Sequence, residues 1–223
     1  MFDDIFMRLP VSIKVAFLGM LLATVMGLPL GVLSAVKQYS PADSFLRVAS
    51  TVLVAMPTFW LAMLLILVFA LYLGWLPAGG ALTWQSYILP TITVGVPYGS
   101  KVLRMTRSTM LEEIRQDYVR TARSKGVPEK KVIYGHALKN ALLPVITTIG
   151  SAFGAILGGS VIAESVFNLP GLGSLIVLSI KAKDTPSVLA SVLLLAVFFA
   201  LIMLIVDLVY AFIDPRIKAK YAK

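Results

Sequence analysis

The sequence has no cysteine, a single histidine and few charged residues, and each scarcity excludes a class of protein. Without cysteine, and with His136 as its one imidazole, the chain can form neither a disulfide nor a metal site built from cysteine or clustered histidine. Charged residues make up 14% of the 223 residues, whereas apolar residues make up 58%. This apolar fraction is more than one water-soluble core can bury, so the composition predicts an integral membrane protein.

Motifs for catalysis are also missing from the sequence. The carboxylates in or near apolar stretches stand singly, with Glu164 and Asp207 close to the ends of such stretches, so they form no acid–base pair. The chain contains neither a phosphate-binding GxxxxGKS/T loop nor an HExxH metal motif. We therefore expect no catalytic residue, no metal site and no bound cofactor in this chain. Any energy source must therefore be bound by another protein or be an ion gradient.

Five stretches are apolar enough to cross a bilayer core, which takes about 20 residues. They are residues 11–36, 48–73, 88–103, 141–163 and 187–213. The third is the shortest and contains two prolines and two glycines, and broken backbone at membrane depth needs protein or water beside it. The pattern predicts one all-α membrane domain over residues 1–223. It has about five transmembrane helices, and the third lies inside the bundle or beside a pathway.

Lysine and arginine are distributed unevenly along the chain and indicate its orientation. Residues 37–47 carry 2 of them, residues 101–140 carry 10 and the tail after Asp214 carries 4, whereas residues 74–87 carry none and residues 164–186 carry 2. Cationic loops stay in the cytoplasm, so the first three segments and the C-terminus are expected there, which leaves the N-terminus outside. Topology thus explains the formal charge of +9, and no nucleic-acid partner is expected.

Three glycines recur at four-residue spacing in the fourth predicted span, and two other spans repeat the spacing once each. They are Gly150, Gly154 and Gly158, with the pairs at 27 and 31 and at 95 and 99. Such faces let helix backbones approach closely in lipid, where no hydrophobic force drives helices together. We expect the fourth helix to pack tightly, either within the chain or against a second subunit.

A basic segment between the third and fourth spans is broken by a glycine and a proline. Its core, RTARSKGVPEKKVIYGHALKNALLP, covers residues 120–144. The preceding residues have the pattern of a helix with one apolar face, which Gly126 ends, and Pro128 followed by Glu129 suits the first turn of a second helix. The segment 101–140 is therefore predicted to form a bent pair of helices beneath the membrane, a shape that fits a cleft on a cytosolic protein.

These residues carry a resemblance to a known family. RTARSKG, at residues 120–126, resembles the EAAxxxG motif of binding-protein-dependent ABC transporter permeases. The longer run DYVRTARSKG, with the following HALKNALLP, is similar to the B-type permease subunit of the dipeptide, oligopeptide and nickel importer family. ESVFNLPGLG at residues 164–173 and YAFIDPRIK at residues 210–218 agree, so the resemblance covers essentially the whole chain.

The resemblance implies half of the translocation pathway of a type I ABC importer, a multi-pass protein of the inner, cytoplasmic membrane of a prokaryote. Its implied partners are a second homologous permease subunit, cytosolic ABC ATPase subunits that bind the ATP, an extracytoplasmic solute-binding protein and membrane lipid. The implied ATPase-coupling residues are Arg120, Thr121, Ala122, Gly126, Pro128, Glu129 and Lys130. The implied outer gate or pathway loop contains Glu164, Phe167, Pro170, Gly171 and Gly173.

The implied solute is a di- or oligopeptide, with nickel complexes and small peptides such as glutathione left open. The chain also departs from the family pattern. Arg120 and Thr121 stand where the motif has Glu and Ala, and Lys139 stands where many members have Pro, so a Glu-based contact with the ATPase is not carried over. The family's usual first span has no counterpart before residue 11, and the chain is expected to be a fragment or a naturally short subunit.

The alternative function is a self-sufficient secondary transporter or channel, which needs its own ion-coupling groups or a polar lining. Asp207 is the best candidate for ion coupling, although near a span end its side chain can reach the interface or pair with a neighbour. Two simpler interpretations also stay open. The cations of residues 101–140 can serve topology or lipid headgroups alone, and NLPGLG can be a tight turn and nothing more.

Overall fold

The computed structural model describes residues 2–213, and all regular structure in that range is helical. Within it, nine α-helices follow in chain order: α1 (Phe2–Val36), α2 (Pro41–Ala55), α3 (Thr58–Leu65), α4 (Ile88–Ile114), α5 (Asp117–Ser124), α6 (Glu129–Lys131), α7 (Leu138–Val166), α8 (Leu172–Lys181) and α9 (Thr185–Ile213). A π-helical segment, Ile66–Tyr72, continues α3, a second, Val132–Ala137, joins α6 to α7, and a 3₁₀ turn, Trp84–Tyr87, precedes α4. The predicted all-α fold is confirmed.

Three helical stretches are long and apolar enough to cross a membrane: Phe2–Val36, Glu129–Val166 and Thr185–Val206. A fourth is added if Pro41–Ala55 and Thr58–Tyr72, which meet at 104°, form one bent span. The bend falls before Pro57, which lacks an amide hydrogen and disfavours helical backbone at Met56. Four of the five predicted spans therefore correspond to apolar helical stretches, one of them sharply bent.

The remaining predicted span, residues 88–103, is part of a longer helix. α4 runs unbroken from Ile88 to Ile114, so it joins that span to the first part of the predicted basic segment. It is not among the three apolar stretches, because charged residues such as Lys101 and Arg104 lower its mean hydropathy. α4 nevertheless lies at the centre of the bundle, in contact with α1, α2 and α7. Sequence hydropathy thus placed the start of this helix correctly but not its length.

Helices α1 and α4 run parallel and touch along a row of small residues. Gly19 lies against Val94 and Gly95, Gly27 against Gly99 and Val102, and Gly31 against Leu103 and Thr106. A Cβ at Gly27 would lie 2.5 Å from the Gly99 carbonyl oxygen, which real side chains do not tolerate. The two glycine pairs of α1 and α4 therefore meet each other in one interface, which we call the seam.

The glycine ladder of α7 faces α9 over part of its length. A Cβ at Gly150 would overlap Val206, and a Cβ at Gly154 would overlap the ring of Phe199. A Cβ at Gly158 would meet nothing within 4 Å, and this residue lines an apolar groove between α7, α8 and α9 with a volume of about 560 Å³. The ladder thus makes close contacts within the chain at two of its three positions.

The two larger of three apolar cores lie at opposite ends of the bundle. The outer core, named for the predicted outer face, includes Val15, Leu89, Val94, Ile156 and Phe167. The core at the other end includes residues of the bent segment 117–137, which is called the elbow below, so we name it the elbow core. It consists of Val32, Ala35, Met110, Val119, Ala122, Val132, Ile133, Ala137 and Ala141. The elbow core joins the ends of α1 and α4 to the helices that follow, so the bent segment is part of the folded bundle.

Candidate coupling elbow and two buried carboxylates

The bent segment, residues 117–137, is called the elbow here, and it turns at Gly126. Gly126 has a φ of +73°, in the left-handed region that glycine adopts without strain. Its amide donates to the Arg123 carbonyl at 2.9 Å, and the Val127 amide donates to the Ala122 carbonyl at 3.2 Å. This pair of bonds is a Schellman motif, which satisfies the last carbonyls of α5. The predicted role of Gly126 in ending the helix is confirmed.

The second arm of the elbow begins directly after this turn. Pro128 is the N-cap of α6, and its carbonyl accepts the Lys131 amide at 2.8 Å. Arg123 on α5 donates from Nε to Glu129 Oε2 at 3.1 Å and from Nη2 to Oε1 at 2.7 Å. The hydrogen bond to Glu129 raises the pKa of the Arg123 guanidinium. An exposed pair of this kind adds little stability, but its two parallel bonds fix the angle between the arms.

A break separates α4 from α5, where the sequence pattern suggested one continuous helix. α4 ends at Ile114, and α5 begins after Gln116, which has extended backbone with ψ of 151°. The Tyr118 hydroxyl crosses the break and donates to Glu113 Oε2 at 2.5 Å. Burial, together with this hydrogen bond, raises the pKa of Tyr118. The elbow is therefore linked to α4 through a side chain as well as through the backbone.

One face of α5 packs inward and the other is open. Val119 is fully buried and Ala122 is 9% exposed, and both belong to the elbow core. The other predicted coupling residues are all exposed: Arg120, Thr121, Gly126, Pro128, Glu129 and Lys130. Ala122 thus contacts this chain's own core, and a partner on the open face would meet Arg120 and Thr121. Contact with an ATPase stays a prediction.

A buried ion pair that no sequence pattern indicated lies beside the elbow core. The Asp43 carboxylate on α2 is 0% exposed and receives Arg107 Nε at 2.7 Å and Arg107 Nη2 at 2.9 Å from α4. Ser34 Oγ of α1 donates to it at 2.5 Å, and the Tyr39 amide donates at 3.0 Å. One carboxylate therefore joins α1, α2 and α4 at the end of the bundle where the elbow is attached.

Of the two residues of this ion pair, only Asp43 lies in a recognisable local sequence pattern. SPAD, at residues 40–43, is an N-cap serine followed by proline at the first helical position, and the Asp43 amide donates to Ser40 Oγ at 3.2 Å. This pattern places Asp43 in the first turn of a helix. Arg107 follows 64 residues later among many other cations, so nothing local connects the two.

A second buried carboxylate, Glu164, lies near the end of α7 and is also 0% exposed. Its Oε2 accepts the Gly173 amide at 2.7 Å and the Ser174 amide at 3.3 Å, both in the first turn of α8. Its Oε1 accepts Ser160 Oγ at 3.1 Å. The first amides of a helix have no intrahelical acceptor and carry partial positive charge, so Glu164 caps α8.

The turn between α7 and α8 is folded tightly onto this carboxylate. Gly171 is the N-cap of α8, and a Cβ there would overlap Glu164 Oε2 and lie 2.8 Å from Ser12 Oγ. Ser12 Oγ in turn accepts the Leu172 amide at 2.8 Å, which ties α1 to the turn. Only a residue without a side chain fits between the carboxylate and the hydroxyl.

The structure brings the predicted gate residues together in this one turn. Phe167 is fully buried, and its carbonyl accepts the Gly80 amide at 2.9 Å from the loop before α4. Gly173 is buried against Glu164, whereas Pro170 is exposed. Most of NLPGLG is therefore explained by tight packing, as the simpler interpretation of the motif expects, and a gating role stays a prediction.

Other candidate groups give no further site in the part of the chain that the structure describes. Among the side chains that the structure describes, no three His, Asp or Glu are placed to hold a metal ion. The side chain of Asp207, the predicted candidate for ion coupling, lies outside what the structure describes, and so do residues 214–218 of the YAFIDPRIK segment.

An all-helical membrane bundle with a braced basic elbow at one end has the architecture of the membrane subunit of a transporter. The chain belongs to the family described as binding-protein-dependent transport system inner membrane component, whose model matches residues 27–219. It is 41% identical over 218 residues to the glutathione transport system permease protein GsiC of Escherichia coli strain K12, a match that covers 98% of this chain and 71% of the relative. GsiC of Salmonella paratyphi A shows the same identity and coverage. The family resemblance seen in the motifs is confirmed.

Solved structures of transporters share the fold. The MetNI methionine ABC transporter, in inward-facing conformations, superposes with a TM-score of 0.79 at 18% identity, over 96% of this chain and 98% of that chain. An amino acid ABC transporter crystallised with histidines gives a TM-score of 0.68 at 16% identity, over 96% of this chain and 94% of that chain. At these identities the similarity concerns the fold alone.

Proposed function

We propose that the chain is the membrane-spanning permease subunit of an ATP-driven ABC importer and forms half of its translocation pathway. The solute we propose is a small peptide, with glutathione-like tripeptides as first candidates, because the relatives at 41% identity are named for glutathione transport. The proposed partners are a second homologous permease subunit, cytosolic ABC ATPase subunits and an extracytoplasmic solute-binding protein. ATP binds to the ATPase subunits, and this chain contributes no ATPase site.

The observation that carries the proposal is the elbow. Its inner face packs in the elbow core, and backbone hydrogen bonds at Gly126 stabilise its turn. The ion pair between Arg123 and Glu129 joins its two helical arms. Its open face presents Arg120 and Thr121 on a helix whose position is fixed on three sides. A rigid, exposed helix of this kind can dock in a groove without losing much conformational freedom on binding.

The coupling test uses the open face of α5. Arg120→Ala with Thr121→Glu reverses its charge without touching the elbow core and without restoring the Glu of the family motif at position 120, so we expect normal amounts in the membrane but weak ATPase binding. A loss of about 3 kcal/mol would weaken the complex by more than a hundredfold. The measurement is uptake of glutathione by the reconstituted complex, together with ATP hydrolysis stimulated by the binding protein.

Lys37→Glu is the matched control for this test, because Lys37 is exposed on the predicted cytoplasmic side but lies off the elbow. It should keep uptake and stimulation near wild type. Ala122→Glu is less informative, since it places a carboxylate in the elbow core and disturbs folding directly. Wild-type coupling in the Arg120/Thr121 variant, or ATP-independent uptake by this chain alone, would favour a secondary transporter instead.

The proposed orientation places the elbow and the C-terminus in the cytoplasm. Single cysteines can report it because the chain has none of its own. An impermeant thiol reagent added to intact cells should label Leu82→Cys, at a side chain that is 99% exposed, and Asn168→Cys. Lys37→Cys and Lys125→Cys should stay unlabelled until the cells are opened. The reverse pattern would contradict the orientation and the docking of the elbow together.

A further inference from the structure

A polar face of α4 points away from the seam. Tyr98, Lys101, Arg104 and Ser108 recur at three- and four-residue spacing, so they share one side of the helix. Lys101, Arg104 and Ser108 are exposed and Tyr98 is half-buried. The residues of α4 that contact α1 lie on the opposite side. These four residues are called the polar face below, and no described side chain covers the cations on it.

The depth of the polar face in the membrane follows from the seam. Residues 15–36 of α1 contain no charged residue, and this run of 22 residues matches the thickness of a bilayer core. Gly27 lies near its middle and touches α4 at Gly99 and Val102. Lys101 falls between these two contacts, so it is level with the middle of the apolar run. The cations of the polar face are therefore inside the membrane and not in a cytoplasmic loop.

Neither cation of the polar face is paired with a carboxylate among the side chains that the structure describes. Lys101 Nζ lies 4.6 Å from the centroid of the Tyr98 ring, a cation–π contact, and Arg104 has no ion pair with any of these side chains. Arg107, one turn away, differs because Asp43 binds it. Charged side chains at this depth face water or a polar partner rather than lipid. The polar face therefore requires an aqueous or polar surface opposite it.

We propose that the polar face lines a water-filled translocation pathway and binds the carboxylate of an anionic solute that passes through it. This inference rests on the proposed function and adds a substrate class, namely solutes with a free carboxylate. Lys101 and Arg104 supply positive charge, and the hydroxyls of Tyr98 and Ser108 supply neutral hydrogen bonds to carboxylate oxygens. Two cations without fixed partners attract such a solute without holding it in one place.

A cysteine at position 108 reports both the water and the charge of this face. In inside-out membrane vesicles that contain the chain with its partner subunits, Ser108→Cys should react with negatively and positively charged methanethiosulfonate reagents. The negative reagent should react faster. Val25→Cys is the control within the apolar run of α1, where the side chain is 63% exposed on an apolar face, and it should react with neither reagent.

Neutralising one cation measures how much the charge of the polar face contributes to the difference between the two reagent rates. Arg104→Gln in the Ser108→Cys chain should lower the ratio of negative to positive reagent rates by about threefold to tenfold, because a unit charge one turn away sets the local potential. Lys139→Gln, which removes an exposed lysine off the polar face, should leave the ratio unchanged. Trialanine should slow the modification of the cysteine more than its C-terminal amide does, because only trialanine carries a carboxylate.

Three results would overturn the proposal. The first is a cysteine at position 108 that reacts with neither reagent, and the second is a rate ratio that Arg104→Gln does not change. The third is an equal effect of trialanine and its amide on the modification rate of this cysteine. The first would mean that protein or lipid covers the face, and the second that a partner subunit's carboxylate neutralises it. The reagent rates require no transport, so they are independent of the ATP-coupled uptake that tests the proposed function.

Discussion

The two buried carboxylates lie at opposite ends of the bundle and are held by different chemistry. Asp43 is neutralised by the guanidinium of Arg107, which comes from a distant helix, whereas Glu164 is held by two amides of α8 and by neutral hydroxyls such as that of Ser160. Removing Arg107 leaves a buried charge with only the half-exposed Arg47 nearby, and removing Glu164 leaves only neutral donors unsatisfied. The end that carries the elbow is thus fixed by a long-range ion pair, and the other end by a local cap.

The largest effect is expected from Arg107→Ala. It leaves the Asp43 carboxylate buried with neutral donors and one half-exposed cation, Arg47, so the free energy of unfolding should fall by about 3–5 kcal/mol. The measurement is unfolding of the purified chain in detergent, followed by loss of helical signal. Arg47→Ala is the matched control, because Arg47 is 3.7 Å from the same carboxylate but 49% exposed, and it should cost less than about 1 kcal/mol. Equal losses in the two variants would show that charge, and not burial, decides the effect.

A smaller loss is expected from Glu164→Gln. The amide oxygen of glutamine still accepts one α8 amide, but the charge that strengthens these bonds is gone, so the cost should be about 1–3 kcal/mol. Hydrogen exchange at the Gly173 and Ser174 amides should become faster, because they lose the acceptor that protects them. Glu112→Gln, at an exposed position, is the control and should change neither quantity. A loss as large as that of Arg107→Ala would contradict the distinction between ion pair and cap.

The smallest effects should come from the hydroxyls beside each carboxylate. Ser34→Ala removes a donor that lies 2.5 Å from Asp43, and it should cost about 1–2 kcal/mol. Ser160→Ala should cost less, because Ser160 Oγ is also 2.9 Å from the Leu157 carbonyl and its one hydrogen is shared between two acceptors. Unfolding of the two variants measured side by side gives the comparison. A larger loss of unfolding free energy for Ser160→Ala than for Ser34→Ala would contradict this prediction.

Local sequence chemistry was enough to predict the elbow but not its orientation. Gly126 and Pro128 fix the end of one helix and the start of the next through their own backbone preferences, so the bend could be read from the sequence. Which side of α5 faces the bundle depends on where α1 and α4 end. For that reason the inward position of Ala122 and the open position of Thr121 emerged only from the structure.

Long-range features and charged membrane helices were harder to predict. Asp43 and Arg107 are brought together by the packing of α2 on α4, which no local pattern encodes. Hydropathy ended the third span at residue 103 because cations follow, although α4 continues to Ile114. A cation lowers the mean hydropathy of a sequence window equally whether it lies in a loop or on a membrane helix that faces a polar surface. Mean hydropathy therefore cannot distinguish a loop from such a helix.

The seam between α1 and α4 has a mechanical consequence. At Gly27 and Gly31 the backbone of α1 lies directly on the backbone of α4, so few flexible side chains stand between the helices there that could change rotamer and absorb a displacement. We therefore expect a displacement of the elbow end of α4 to be transmitted along α1 to Ser12 and the turn that Glu164 holds. We expect α1 and α4 to move as one unit, so that a change at one end of the pair is accompanied by a change at the other.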